Sequence, residues 1–245
     1  MIIIYTIIIL YIYYSIYHSQ HKYNLNDYDI ICSPGGNYGF YMMGICDFIK
    51  KKYNIKNKKI IGFSAGSFCS VFLKLNNQCS DQLLVDIFKR NDLCGYNIKD
   101  NLQHIVNVFN NNIKLNQFID NNFHIVTSSD ILTNIVIHKN FISPNDIMNC
   151  CTASSFIPLI TYKSLFFFFR GKLLYDAGYI YYKKIKKNYT KHKLTISYNM
   201  FNRWPKKNDS PIHGLSNVKL TIYDLYIMGY SYAYKNKKLF DKYFI

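Results

Sequence analysis

The sequence predicts a layered α/β fold. Strand-like and helix-like stretches alternate along the chain, which is the pattern of elements that stack in layers. The 245 residues with 49% hydrophobic content suffice for one sizeable core. No repeat period and no low-complexity linker divides them, so a single domain is expected.

The elements follow in order. "YDIIC" (28–32) reads as a short buried strand entering the turn "SPGGNYG". "FYMMGICDFIKKK" is apolar nearly all round and ends in cations, as a buried helix with a favourable C-terminal charge does. "KKIIGF" is a second strand, and helix-like segments cover about 65–76, 80–92 and 101–113. "FHIVTSSD" and "ILTNIVIHK" are rich in β-branched residues and partly alternate, so both predict strands. "SPND" (143–146) opens a helix: Ser143 caps it, Pro144 suits the first turn, and Asp146 favours the positive helix end. That helix stops before Pro158. "KSLFFFFRGKLLYDAG" reads as a strand, a turn at Arg170-Gly171, and a strand ending at Asp176. "KLTISYN" is a further strand and 216–235 a final helix.

The N-terminus differs from the rest. "MIIIYTIIILYIYYSIY" is 17 residues without a charged side chain, at the short end of the ~17–25 that span a bilayer. Tyr11, Tyr13, Tyr14 and Tyr17 gather toward one end, as interfacial aromatics do. The expectation is a membrane anchor over 1–22, with a signal-like segment or a buried first strand as alternatives. Basic residues from Lys22 onward would leave the main domain in the cytoplasm. The sequons at Asn188 and Asn208 matter only if that topology is reversed.

The formal charge of +16 invites a nucleic-acid reading. The cations are almost all Lys, with Arg only at 90, 170 and 203. Ile, Asn, Lys, Tyr and Phe are enriched together, as an AT-rich coding sequence produces. No nucleic-acid-binding pattern appears. A solvated basic surface is the simpler reading, and attraction to anionic lipid stays open. The basic run 183–193 falls under the same two readings. Seven cysteines carry no CxxC or metal spacing, so free buried thiols in a reducing compartment are expected, and no metal. No cofactor pattern is present: the Walker sequence and a dinucleotide GxGxxG are both absent.

The chemistry centres on "GFSAGS" (62–67), a Gly-x-Ser-x-Gly between strand and helix. A strand reversing sharply into a helix needs Gly62 and Gly66 to avoid clashes. Ser64 then projects at the strand end, with the Ala65 N–H and the helix N-terminus beside it. In "PGGNYG", Gly35 and Gly36 bring backbone N–H groups toward a reacting carbonyl, and losing one such donor typically costs ~2.7–4 kcal/mol of barrier. A Ser-Asp-His triad would need a late histidine. His192 and His213 are the candidates, and neither sits in a motif of that kind. Asp130 and Asp146 read as a loop cap and a helix-start residue.

"GGNYGFYMMG", "GFSAGS", "ASSFIP" and "FRGKLLYDAG" together resemble the four marks of the patatin-like phospholipases, in that family's order. The Gly36-to-Gly44 spacing is most similar to the triglyceride-lipase and adiponutrin branch. The resemblance spans about 28–200 and implies a three-layer α/β/α fold with a mainly parallel central sheet over 27–200. Residues 201–245 are expected as a helical extension on the same domain. It further implies a Ser–Asp dyad, with Ser64 as nucleophile and Asp176 as general base. Gly35, Gly36 and Asn37 would form an oxyanion hole, and Gly62, Ala65 and Gly66 the nucleophile elbow.

Two positions depart from the family pattern. Pro34, where the family has Gly, has no N–H to donate. Ala177 follows Asp176 where the family has Gly, and would cost about 1–2 kcal/mol if that position needs positive φ. The expected function is a lipid acyl-ester hydrolase at a membrane or lipid-droplet surface, with a glycerolipid substrate, no cofactor and no specific nucleic acid. The alternative is an inactive patatin-fold protein that binds lipid surfaces or a partner. "LFFFFR" (165–170) reads as a buried strand, with an interfacial patch as its alternative.

Overall fold

A computed structural model describes residues 25, 27–90, 98–129, 134–181, 193–200 and 220–244. The expected anchor, Asp130, both late histidines, both sequons and all but Lys193 of the basic run lie outside the described residues. No helix among the described residues is long and apolar enough to cross a membrane.

The chain is α/β, as the alternating elements predict. Strands β1 (Ile30–Cys32), β2 (Ile60–Phe63), β3 (Phe123–Ser129), β4 (Asn134–His138) and β7 (Leu194–Ile196) form one sheet in the order β4-β3-β2-β1-β7. The β3-β2-β1-β7 pairs are parallel, and β4 closes one edge antiparallel to β3. The parallel strands read as continuous apolar runs because both faces are covered. On one face Ile30, Cys32, Ile60, Ile125 and Leu194 join the main core. On the other, Ile31, Ile61, Phe63 and Val126 pack against Ala177, Ile180 and Tyr181. The layers are therefore unequal among the described residues: long helices on one side, a single helical turn at Gly178–Ile180 on the other.

The main helical layer contains α1 (Gly39–Lys52), α2 (Ala65–Lys74), α3 (Asn77–Phe88), α4 (Ile98–Asn112), α5 (Pro144–Ser154), α6 (Ile222–Lys235) and α7 (Lys237–Phe244). Helix α3 starts three residues earlier than expected, because the Asn76 side chain accepts from the Cys79 N–H at 2.8 Å and caps it there. Helix α5 is capped by Ser143 as its sequence predicts, with the Asp146 N–H donating to Ser143 Oγ at 3.1 Å. Helix α6 begins with a Thr221–Asp224 capping box. It crosses α1 at backbone contact: a Cβ on Gly44 would lie 2.0 Å from the Tyr226 carbonyl oxygen, and one on Gly229 1.9 Å from that of Tyr41. Beside this crossing the buried Asp47 carboxylate accepts from Tyr226 Oη at 2.6 Å and Lys51 Nζ at 2.9 Å. Helix α7 lies past the expected end of the final helix at 235 but within the helical extension expected over 201–245, and docks through the fully buried Phe240. The six described cysteines are free and buried.

"LFFFFR" departs from the buried-strand expectation. It forms a two-stranded hairpin, β5 (Phe167–Phe169) with β6 (Lys172–Leu174), turned through Arg170 (φ 48°) and Gly171 (φ 74°). Only its inner side is covered. Phe167 packs on Phe156, centroids 5.6 Å apart, while Phe168 stays 70% exposed. Arg170 anchors the turn to the start of α5 by donating to both Asp146 carboxylate oxygens, at 3.2 and 2.5 Å.

Candidate active site

The C-terminal end of β2 runs into α2 at Ser64, whose backbone has φ 52° and ψ −127°. A non-glycine residue held there is strained by roughly 1–3 kcal/mol, and such strain persists only where the surroundings enforce it. The enforcing contacts are on both sides. A Cβ on Gly62 would lie 2.4 Å from the Gly66 carbonyl oxygen, and one on Gly66 would lie 2.3 Å from that of Cys32. Both neighbours are backbone and cannot swing aside, so the two glycines let α2 press against β1 and β2. The Ser64 N–H donates to Ser154 Oγ at 2.8 Å, and Ser154 Oγ donates onward to the Val126 carbonyl at 2.5 Å. Ser154, at the end of α5, thus ties the Ser64 backbone to β3. The sequence marks this position only as part of "ASSFIP", without a role.

Asp176 approaches from the chain leaving the β5–β6 hairpin. Its N–H donates to the Phe156 carbonyl at 2.8 Å, its carbonyl accepts from Ser128 Oγ at 3.0 Å, and Tyr175 exchanges backbone bonds with Ser128. Asp176 Oδ1 accepts from the Gly178 N–H at 2.5 Å. A Cβ on residue 178 would lie 2.6 Å from that oxygen, so the glycine of "DAG" gives the carboxylate its room. Ala177 has φ −85°, an ordinary helical value, and the strain a positive φ would bring does not arise.

Although Asp176 keeps some exposed surface, Oδ2 is buried and makes no well-formed hydrogen bond. The Ser64 hydroxyl interacts with the carboxylate without meeting hydrogen-bond geometry. Burial pushes the Asp176 pKa up to about 6, against the opposing pull of the Ser64 hydroxyl and the Gly178 N–H. A carboxylate with those properties is a stronger base than one in water, and its free oxygen is the one able to take a proton.

Ser64 opens onto a cleft of about 540 Å³ including its mouth. Gly36, Asn37 and Ala65 belong to its lining, and Phe40, Met43, Phe68, Leu102 and Ile105 make its walls apolar. Gly35 lies outside this lining, so of the three expected oxyanion residues Gly36 and Asn37 reach the cleft wall. Gly36 has φ 53°, a backbone state that glycine adopts without strain. The Asn37 side chain is held by Asn101 Nδ2, which donates to Asn37 Oδ1 at 3.0 Å. Asn101 comes from α4 and carries no motif that would have marked it. Ser155, 7% exposed, also lines the cleft, and its Oγ has no partner.

The described histidines are engaged elsewhere. His104 bonds the Ile87 carbonyl, His124 the Tyr28 hydroxyl and His138 the Thr127 hydroxyl. None lines the cleft. Among the described residues no group of three His, Cys, Asp or Glu side chains is disposed to hold a metal ion. A scan against protein-family models matches none, and a search of curated proteins finds no match to this chain.

Proposed function

We propose that the chain is a serine acyl-ester hydrolase acting on glycerolipids through a Ser64–Asp176 dyad. One observation carries the reading: a buried carboxylate with an unsatisfied oxygen stands beside a strained serine at the head of an apolar cleft. The four-motif resemblance to patatin-like phospholipases supports the same assignment.

In this mechanism Ser64 Oγ attacks the ester carbonyl carbon as its proton passes to Asp176 Oδ2. The oxyanion is met by backbone N–H groups of Gly36, Asn37 and Ala65, and the last also carries the positive end of α2. Collapse breaks the bond to the alkoxy oxygen, which receives the proton from Asp176 and leaves as the alcohol. Water then gives a proton to Asp176 and attacks the acyl-serine, and the fatty acid departs as Ser64 is reprotonated. The apolar walls fit an acyl chain and exclude water from the base.

The alternative, an inactive lipid-surface or partner-binding protein, retains the missing N–H of Pro34 in its favour and loses Ala177. Fluorophosphonate labelling read by intact mass separates the two. The hydrolase reading expects one adduct on wild type, none on Ser64→Ala and slowed labelling of Asp176→Asn. A folded wild type that takes no label overturns it.

A further inference from the structure

We infer that the outer face of the β5–β6 hairpin and the loop before it dock on an anionic glycerophospholipid bilayer, beside the mouth of the cleft. Six large apolar side chains are exposed there: Leu159, Ile160, Leu165, Phe166, Phe168 and Leu173. They lie on one continuous stretch of chain, from Leu159 to Leu173, whose loop and hairpin are tied together. Phe168 and Leu173 are cross-strand partners on the outward side of the hairpin. The Leu159 N–H donates to the Ser164 carbonyl at 3.2 Å, and Tyr162 meets the inward Phe167 edge-on. Contiguous exposed apolar patches of this kind mark interaction sites.

Two features select lipid as the occupant. Residues 157–175 contain no acidic side chain, and with Arg170 paired to Asp146 the exposed Lys163 and Lys172 are left as cations bordering the apolar group. Cations around an apolar projection match an anionic headgroup layer over an acyl interior. The inner side of the loop before the hairpin supplies Ile157 and Thr161 to the cleft lining. Docking there would bring the cleft mouth to the depth at which glycerolipid esters lie.

The inference rests on the hydrolase reading for its purpose, but its test does not require turnover. Trp204 is the single tryptophan of the chain. The full-length protein would carry Trp204→Phe and Ser64→Ala, with Phe168→Trp in one variant and Tyr234→Trp in another. Tyr234 is an exposed control on α6, where its ring meets Phe48 of α1 rather than the hairpin. Emission is recorded with phosphatidylglycerol vesicles carrying brominated acyl chains. The expected result is a blue shift and strong quenching for Phe168→Trp, with Tyr234→Trp unchanged, and weaker quenching on purely phosphatidylcholine vesicles. Four results overturn the inference. The folded protein does not associate with vesicles. It associates while the indole of Phe168→Trp stays unquenched, so another segment holds it. Both variants quench alike. Or the Phe168→Trp variant already emits from an apolar environment without lipid, so a protein surface covers the patch. Failure of the hydrolase reading appears separately, as absent fluorophosphonate labelling of wild type.

Discussion

Replacing Asp176 by Asn should stabilise the fold while disabling the proposed chemistry. The folded protein raises the Asp176 pKa from 3.8 to about 6, so it prefers the neutral acid and ionisation there opposes folding. In wild type the favourable contribution is fully present below the unfolded pKa and is lost as pH rises through about 6. A shift of about two units at ~1.36 kcal/mol each gives about 3 kcal/mol. Asn is neutral and can keep its Oδ1 as acceptor for the Gly178 N–H. Asp176→Asn should therefore gain up to about 3 kcal/mol over wild type at pH 8 and nearly nothing at pH 3.5. Urea denaturation of both proteins across that range measures the difference, and their shared titrations cancel. In parallel, ester hydrolysis by wild type should fall about tenfold from pH 7 to pH 5, as one protonation near 6 requires. A variant less stable than wild type at pH 8, or a gain independent of pH, refutes the claim that the carboxylate is held in an environment hostile to its charge.

Ser154→Ala removes the acceptor for the Ser64 N–H and the donor to Val126. A buried orphaned donor costs ~1–3 kcal/mol, so thermal melting should drop and fluorophosphonate labelling should slow; unchanged labelling would show that Ser154 does not position the elbow. Burial lowers the pKa of His138 to about 4, with the Arg170 charge adding to it. Its stabilising contribution is therefore present above pH 6.5 and lost as pH falls through about 4. His138→Asn should flatten the acid limb of a denaturation profile, and an unaltered limb counts against this assignment.

The buried strands, the turn at Arg170-Gly171 and the cap at Ser143 are legible in the sequence because each rests on local chemistry, whereas the parallel order of the sheet comes only from the family resemblance. Apolar runs, turn residues and a capping hydroxyl act within a few positions of themselves. What is not legible depends on residues far apart. Asn101 meets Asn37 across 64 positions, and Ser154 meets Ser64 across 90. "LFFFFR" misleads for a different reason. Four successive phenylalanines erase the alternation that separates inside from outside, and whether the outer side is covered depends on the layer above it. Ala177 shows the limit of arguing from a motif: a departure matters only through the φ its position requires, and that φ is ordinary.

Energetically unfavourable features of the chain collect at the candidate site. Ser64 holds a strained backbone, Asp176 a buried carboxylate with an unsatisfied oxygen, and Ser155 a buried hydroxyl without a partner. The first two each cost about 1–3 kcal/mol, against a total stability of ~5–15 kcal/mol for a typical domain. Each is removable by one substitution: Asn at 176, Ala at 155, or Gly at 64, where positive φ is free of strain. A chain with no use for the cleft would gain stability from any of them. Yet the strained serine and the buried carboxylate adjoin, and the unpartnered hydroxyl lies in the wall of the same cleft. Local choices that work against the fold and converge on one place are expected where function sets the sequence.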